Sequence, residues 1–228
     1  PEHEAQRFTG QAETYRQLGE HIAAKWDARG TWYESGHTGG YVSWDHYLTA
    51  DHMEAFQRRA GVRNSGLSLP FNKQQSMALL HLRLHELGGE DEHRRRAQLI
   101  FQTTRSRLSA FGDTFTWNYW EPLTPTDVVA EDPPRLRHWV ATHPYRDYQA
   151  GEVSEFVEAW EHGLAFTDDD IRRLVRTNLS MWEGETDAGQ WRNSDVRANR
   201  AAVPEWSPPD PAAHGYPRRA GTLWRALA

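Results

Sequence analysis

The 228-residue sequence contains no cysteine. That absence excludes a disulfide framework, a thiol nucleophile and a thiolate metal site, and it leaves the redox compartment open. Basic residues are outnumbered, 26 Lys and Arg against 32 Asp and Glu, for a net charge of -6. A general nucleic-acid binder rests on a basic field and is not expected here, although a local basic pocket is compatible with this balance. No apolar run approaches the length of a membrane span, so a membrane partner is not expected either. Runs that alternate polar and apolar residues, the mark of strands, are missing too. The chain opens at Pro1 without a charged-then-apolar leader; a processed form would be secreted or periplasmic. The length suits one domain, read as residues 1–228.

What the sequence has in excess is tryptophan, eleven residues. Such an excess reads in two ways. Indoles pack helices together, and an indole face also covers the apolar face of a pyranose while its N–H stays polar. The stretch "TWNYWEP", residues 116–122, sharpens the choice, because it sets three large aromatics beside an amide and an acid.

Every strong periodic signal is helical. Tyr15, Leu18, Ile22 and Trp26 share one helical face before Arg29, and a short helix is expected over residues 50–60. Pro70 marks a helix entrance, Met77, Leu80, Leu84 and Leu87 form a stripe, and Gly88-Gly89 ends it. A second helix carries Ala97, Ile100, Phe101, Thr104, Leu108 and Phe111 up to Gly112. Downstream, Val153, Phe156, Val157, Trp160 and Leu164 mark a third stripe. Thr167 then offers an N-cap with Asp170 at the capping-box position, ahead of Ile171, Leu174, Val175 and Trp182. A Pro-rich connection, residues 121–134, separates the two hairpins, and "GTLWRALA" suggests a last short helix. The expected fold is all-α, built from helical hairpins with long aromatic-rich loops, and loops of that length are uncommon without a role.

The segments "LPFNKQQSMALLHLRLHELGGEDEHRRRAQLIFQTTRSRL", "FTWNYWEP" and "VSEFVEAWEHGLAFTDDDIRRLVRTNLSMWEG" together resemble the repeat of (α/α)-toroid carbohydrate-active proteins. That group includes alginate- and heparin-type polysaccharide lyases. In it a "PxN" helix precedes a second helix and a W-x-Y-W loop, and the next hairpin ends in Trp-Gly. The resemblance covers residues 49 to 184. It implies an (α/α) toroid, incomplete because few hairpins are present, and a polysaccharide or oligosaccharide as partner. The implied chemistry is abstraction of a uronate C5 proton followed by elimination. One departure stands out: Gln149 falls where many relatives carry a histidine, and the nearest histidine is His143.

The residues themselves suggest where such chemistry would sit. Asn72 and Lys73 lie at a helix N-terminus, where an amide and the helix end could neutralise a sugar carboxylate; alternatively Asn72 is only the cap. His143, Tyr145, Arg146, Asp147 and Tyr148 share one loop. His143 or Tyr145 could act as base and acid, Arg146 could hold a carboxylate, and Tyr148 could line the site; the alternative is an Arg146–Asp147 anchor for the loop. Trp117, Asn118, Tyr119 and Trp120, with Trp44 and Tyr41 from a second aromatic loop, would form either a stacking wall or a packing plug. Glu121 would join Asn118 in bonding to hydroxyls or to neighbouring backbone. His81 and His85 have the i, i+4 spacing of a metal pair with His93 nearby, but they read better as helix-surface histidines. "HRRR", residues 93–96, reads as a solvated face and Asn178 as a satisfied buried polar group. No cofactor and no metal are expected. A hydrolase on the same fold, or a non-catalytic helical module binding glycans or protein, remains the alternative. Paired acids would favour hydrolysis, and a Tyr/His/Arg/Asn cluster would favour elimination.

Overall fold

The structure, a computed structural model, describes residues 2–43, 66–137 and 146–183. The helix expected before Arg29 is α1 (Glu2–Asp27), with Arg16 bonded to Glu13 and Glu20 along its surface. Its buried face is not the expected stripe. Tyr15, Leu18 and Ile22 are exposed, while Gly19 and Ala23 are buried. Closeness of approach explains the inversion: a Cβ added at Gly19 would lie 2.9 Å from Leu84 Cδ2. Helix α1 therefore meets its neighbour over small residues, leaving the larger ones outside.

That neighbour, α2 (Phe71–Glu86), pairs with α3 (Asp91–Ser106) as the first helical hairpin. The turn between them needs its glycines. Gly88 has φ +86, and a Cβ on Gly89 would fall 2.5 Å from the Leu84 carbonyl oxygen. The second hairpin joins α4 (Arg146–Glu161) to α5 (Asp168–Glu183). Its expected capping box is present: the Thr167 N–H donates to Asp170 at 2.8 Å, and the Asp170 N–H reaches the Thr167 hydroxyl at 3.3 Å. Arg105 of α3 closes on the same Asp170 carboxylate at 2.7 Å.

Ser76 bonds Glu155, Arg83 bonds Glu158, and His162 meets Glu86. Residue numbers rise together along these pairs, so α2 and α4 run parallel. Between the hairpins lies the apolar core, with Ala78, Leu82, Ala97, Ile100, Phe101, Phe156, Ala159, Leu164 and Leu174 each at most 1% exposed.

The all-α expectation is corrected by three antiparallel two-stranded sheets. Strand β1 (Trp32–Ser35) pairs with β2 (Thr38–Tyr41), turning at Gly36 with φ +60. Strand β3 (Ser109–Phe111) pairs with β4 (Thr114–Thr116) around Gly112, and β5 (Val128–Val129) pairs with β6 (Arg135–Leu136). Strands of two to four residues are too short to display a period of two, which is why sequence alternation did not reveal them. Nor do the described elements make a toroid; they form two helical hairpins and α1, with the small sheets packed on and between them.

Side chains stitch the sheets to the helices. The buried Gln74 amide of α2 accepts from the Tyr41 N–H at 2.8 Å and donates to the Tyr41 carbonyl at 2.7 Å, taking the place of a third strand. The Asp127 carboxylate, in a 3-10 turn (Pro125–Asp127), accepts from the Ser68 N–H and hydroxyl and from the N–H groups of Leu123 and Thr124. No helix among the described residues is long and apolar enough to cross a membrane.

Candidate functional site

Helix α2 begins after Pro70, whose side chain offers no cap. The first turn of a helix leaves backbone N–H groups in need of acceptors. Tyr119 supplies one, its carbonyl accepting from the Phe71 N–H at 3.0 Å. The second acceptor is Glu152, from the second turn of α4. Its carboxylate lies near the Asn72 N–H and accepts from the Trp117 indole N–H at 2.6 Å.

Glu152 is 1% exposed. Burial is the main reason its pKa is pushed up to about 8, and the nearby Glu155 carboxyl pushes the same way. The Trp117 and Asn72 N–H groups pull it back only in part. Glu155, one turn further along α4 and half-buried, is raised to about 7, again by burial, against the Ser76 hydroxyl that bonds it at 3.3 Å. Two carboxyls on one helical face are thus held near the point where one keeps its proton and the other gives it up.

Polar atoms around this pair are left without partners among the described residues. They are Glu152 Oε1, Asn72 Oδ1, and both ends of the Gln75 amide, whose side chain is fully buried. Asn72 and Gln75 are one turn apart on α2. Groups of this kind in an interior are rare and call for an explanation. Asn72 and Ser76 of α2 meet Glu152 and Glu155 of α4, with Lys73 and Ser76 exposed to solvent.

The expected site residues fall in different places. Asn72 and Trp117 do meet, at Glu152. Lys73 is exposed beside them, and Tyr119, partly buried, serves α2 through its backbone. Asn118 bonds Glu121 at 2.7 Å while its Oδ1 has no partner among the described residues, and Glu121 also faces Arg107 at 3.7 Å. The stacking wall is corrected. Trp117 and Trp120 are 3% and 1% exposed, and the Trp120 N–H donates to the Ser68 carbonyl at 2.8 Å. Tyr41 is fully buried against Trp26 and Trp32. Ring faces so covered are packing surfaces, and "TWNYWEP" plugs the α2–α4 junction. Arg146 and Tyr148 belong to the first turn of α4. His143, Tyr145, Trp44, the helix expected over residues 50–60 and "GTLWRALA" lie outside the described residues.

Sequence reasoning passed over Glu152, Glu155 and Gln75. A signal was available. Glu152 stands four residues before Phe156 and seven before Ala159, and Gln75 stands three before Ala78 and seven before Leu82. Each is a polar residue in phase with an apolar stripe, the position at which a buried polar group is found. His81, expected on the helix surface, is fully buried and bonded to Tyr41 and His93. In "HRRR", Arg95 is exposed as expected, while Arg96 turns inward to Asp27 and Tyr41. Among the described residues no group of three or more His, Asp or Glu is placed to hold a metal ion. No family model, curated protein or solved structure matches the chain.

Proposed function

We propose that the protein is a carbohydrate-active enzyme that hydrolyses a neutral saccharide, with Glu152 as proton donor and Glu155 as its ionised counterpart. The observation that carries this reading is the carboxyl pair at the N-terminus of α2. A buried acid that keeps its proton near neutral pH is suited to protonate a leaving oxygen, and a neighbouring carboxylate can activate water or attack the sugar carbon. In the balanced step, Glu152 gives its proton to the glycosidic oxygen as the C–O bond breaks. Water, losing its proton to Glu155, supplies the oxygen of the new anomeric hydroxyl. Asn72 and Ser76 offer the amide and hydroxyl groups that sugar hydroxyls require.

Elimination on a uronate fits this patch less well. A substrate carboxylate would sit beside Glu155, and like charges at short range repel. Hydrolysis of an uncharged sugar carries no such penalty. The hairpin resemblance supports a carbohydrate ligand, and the acid pair favours hydrolysis over elimination.

The test is a screen of neutral and uronate-containing polysaccharides and oligosaccharides, read by new reducing ends, by ultraviolet absorbance of unsaturated products and by thermal shift. Neutral substrates should yield reducing ends, and Glu152→Gln should abolish them without lowering the melting temperature. Unsaturated products would select elimination instead. Ligand-induced stabilisation without products would make the protein a binding module. Full turnover by Glu152→Gln, or no turnover and no shift with any glycan, would end this reading.

A further inference from the structure

A second cluster of titratable groups lies on the opposite flank of α2, away from Glu152 and Glu155. Tyr41 Oη stands 2.5 Å from His81 Nε2, and His81 Nδ1 stands 2.8 Å from His93 Nδ1. Arg96 Nη1 donates to Tyr41 Oη at 3.1 Å and to the Asp27 carboxylate at 2.7 and 2.8 Å. Four elements therefore meet in one chain of bonds: β2 through Tyr41, α2 through His81, α3 through His93 and Arg96, and α1 through Asp27.

The chain has a direction, and Arg96 sets it. Guanidinium groups only donate, so the Tyr41 oxygen is an acceptor toward Arg96 and its own hydrogen is free to point at His81 Nε2. His81, accepting there, carries its hydrogen on Nδ1 and donates it to His93 Nδ1. His93 must then hold its hydrogen on Nε2. The opposite direction would make the Tyr41 oxygen accept from both Arg96 and His81, leaving its buried hydroxyl hydrogen with no acceptor among the described residues.

A second proton on His93 would land on Nδ1, the atom that accepts from His81. Two N–H groups would then face each other across 2.8 Å. Relief requires the chain to reverse, which strands the Tyr41 hydroxyl, or His93 to swing away. The Tyr41 ring is also the edge-on partner of Trp26 at the end of α1, with centroids 5.7 Å apart. Disturbing it loosens the hold on α1.

We propose that the Tyr41–His81–His93 chain is a latch that fastens α1 to the α2–α3 hairpin while His93 is neutral and releases α1 when His93 takes a proton. The groups facing His93 are His81 from α2, Glu20 and Asp27 from α1, Arg96 on α3 itself, and Glu90 just ahead of α3. His81 faces, besides Tyr41 and His93, Arg96 and Glu92 from α3. Burial and Arg96 oppose protonation of His93; Glu90, Glu20 and Asp27 favour it, so the latch opens only under acid conditions. Gly89 packs under the His93 ring, where an added Cβ would come within 3.1 Å of Cδ2, so the ring has little freedom to turn in place. The face of α1 bearing Gly19 and Ala23 would then no longer be held against the body of the protein.

The experiment uses the full chain. Nitrogen-15 spectra of the histidines at neutral pH should show His81 protonated on Nδ1 and His93 on Nε2. The reverse tautomers would overturn the latch, whatever any variant does. Amide hydrogen exchange across a pH series should then show α1 losing protection at a higher pH than α4 and α5. In His93→Gln, which keeps an acceptor but takes no charge, that early step should vanish, so that α1 and the rest open together. Simultaneous opening in the unmodified protein, or an unchanged early step in His93→Gln, would rule the proposal out.

Discussion

At the scale of single residues, Glu152 shows how burial turns an ordinary side chain into a pH-dependent one. A free glutamate titrates near 4.5, and the folded-state value is about 8. The folded protein thus keeps a proton that the unfolded chain surrenders. The resulting stabilisation is complete below about 4.5 and is lost as pH rises through 8. Glu152→Gln keeps a carbonyl to accept from the Trp117 N–H and has no charge to bury. Its melting temperature should exceed that of the unmodified protein at alkaline pH and approach it in mild acid, as a calorimetric pH series would show. Trp117 is a packing residue in the same place. Trp117→Ala removes an indole set edge-on to Phe156, with centroids 5.7 Å apart, and should cost about 3–5 kcal/mol in denaturant unfolding through the cavity left behind. A loss below ~1 kcal/mol would mean that the indole is not part of the core.

At the scale of elements, the β1–β2 hairpin depends on a helix for its edge. Gln74 bonds both the N–H and the carbonyl of Tyr41; the carbonyl also accepts from the Leu69 N–H, so a truncated side chain would leave the buried Tyr41 N–H unpaired. Gln74→Ala should destabilise by about 1–3 kcal/mol, with exchange protection lost first in residues 32–41. Protection that survives there would show that the hairpin stands without α2. The helices of this chain were legible because 16 residues display several turns of a 3.6 period; α2, α3, α4 and α5 each have that length. The Thr167–Asp170 cap was legible because both partners sit within one turn. The sheets were not: each strand pairs with its neighbour in sequence, but strands of two to four residues are too short to carry a pattern. The face of α1 was misread for a related reason. Amphipathicity points to large apolar residues, whereas Gly19 is buried because a neighbouring leucine leaves no room for anything larger. The candidate site was half legible: Asn72 and Trp117 were named from local chemistry, but the residue they converge on, Glu152, looked like one more acid on a helix.

At the scale of the whole molecule, two sets of buried groups pull stability in opposite directions. His81 has its pKa depressed from 6.5 to about 3, chiefly by burial, so the stabilisation from its neutral form is complete above 6.5 and is lost as pH falls through 3. Glu152 and Glu155 act oppositely between 4.5 and their folded values of about 8 and 7. The melting temperature should therefore rise out of strong acid, level off where the two windows overlap, and fall again above neutrality. His81→Asn should shrink the acid limb and Glu152→Gln the alkaline one; a profile unmoved by either would show that these groups do not set it. Asp127 adds a different kind of organisation. One carboxylate bonds Ser68, 59 residues earlier in the chain, and also the nearby N–H groups of Leu123 and Thr124. Everything between Ser68 and Leu123, α2, α3 and the β3–β4 hairpin, is a loop closed at its base. Opening of that loop at its base requires the Asp127 bonds to break. A protease that nicks the chain in the turn between α2 and α3 would leave both fragments tethered, and only after the clasp at Asp127 lets go would they part.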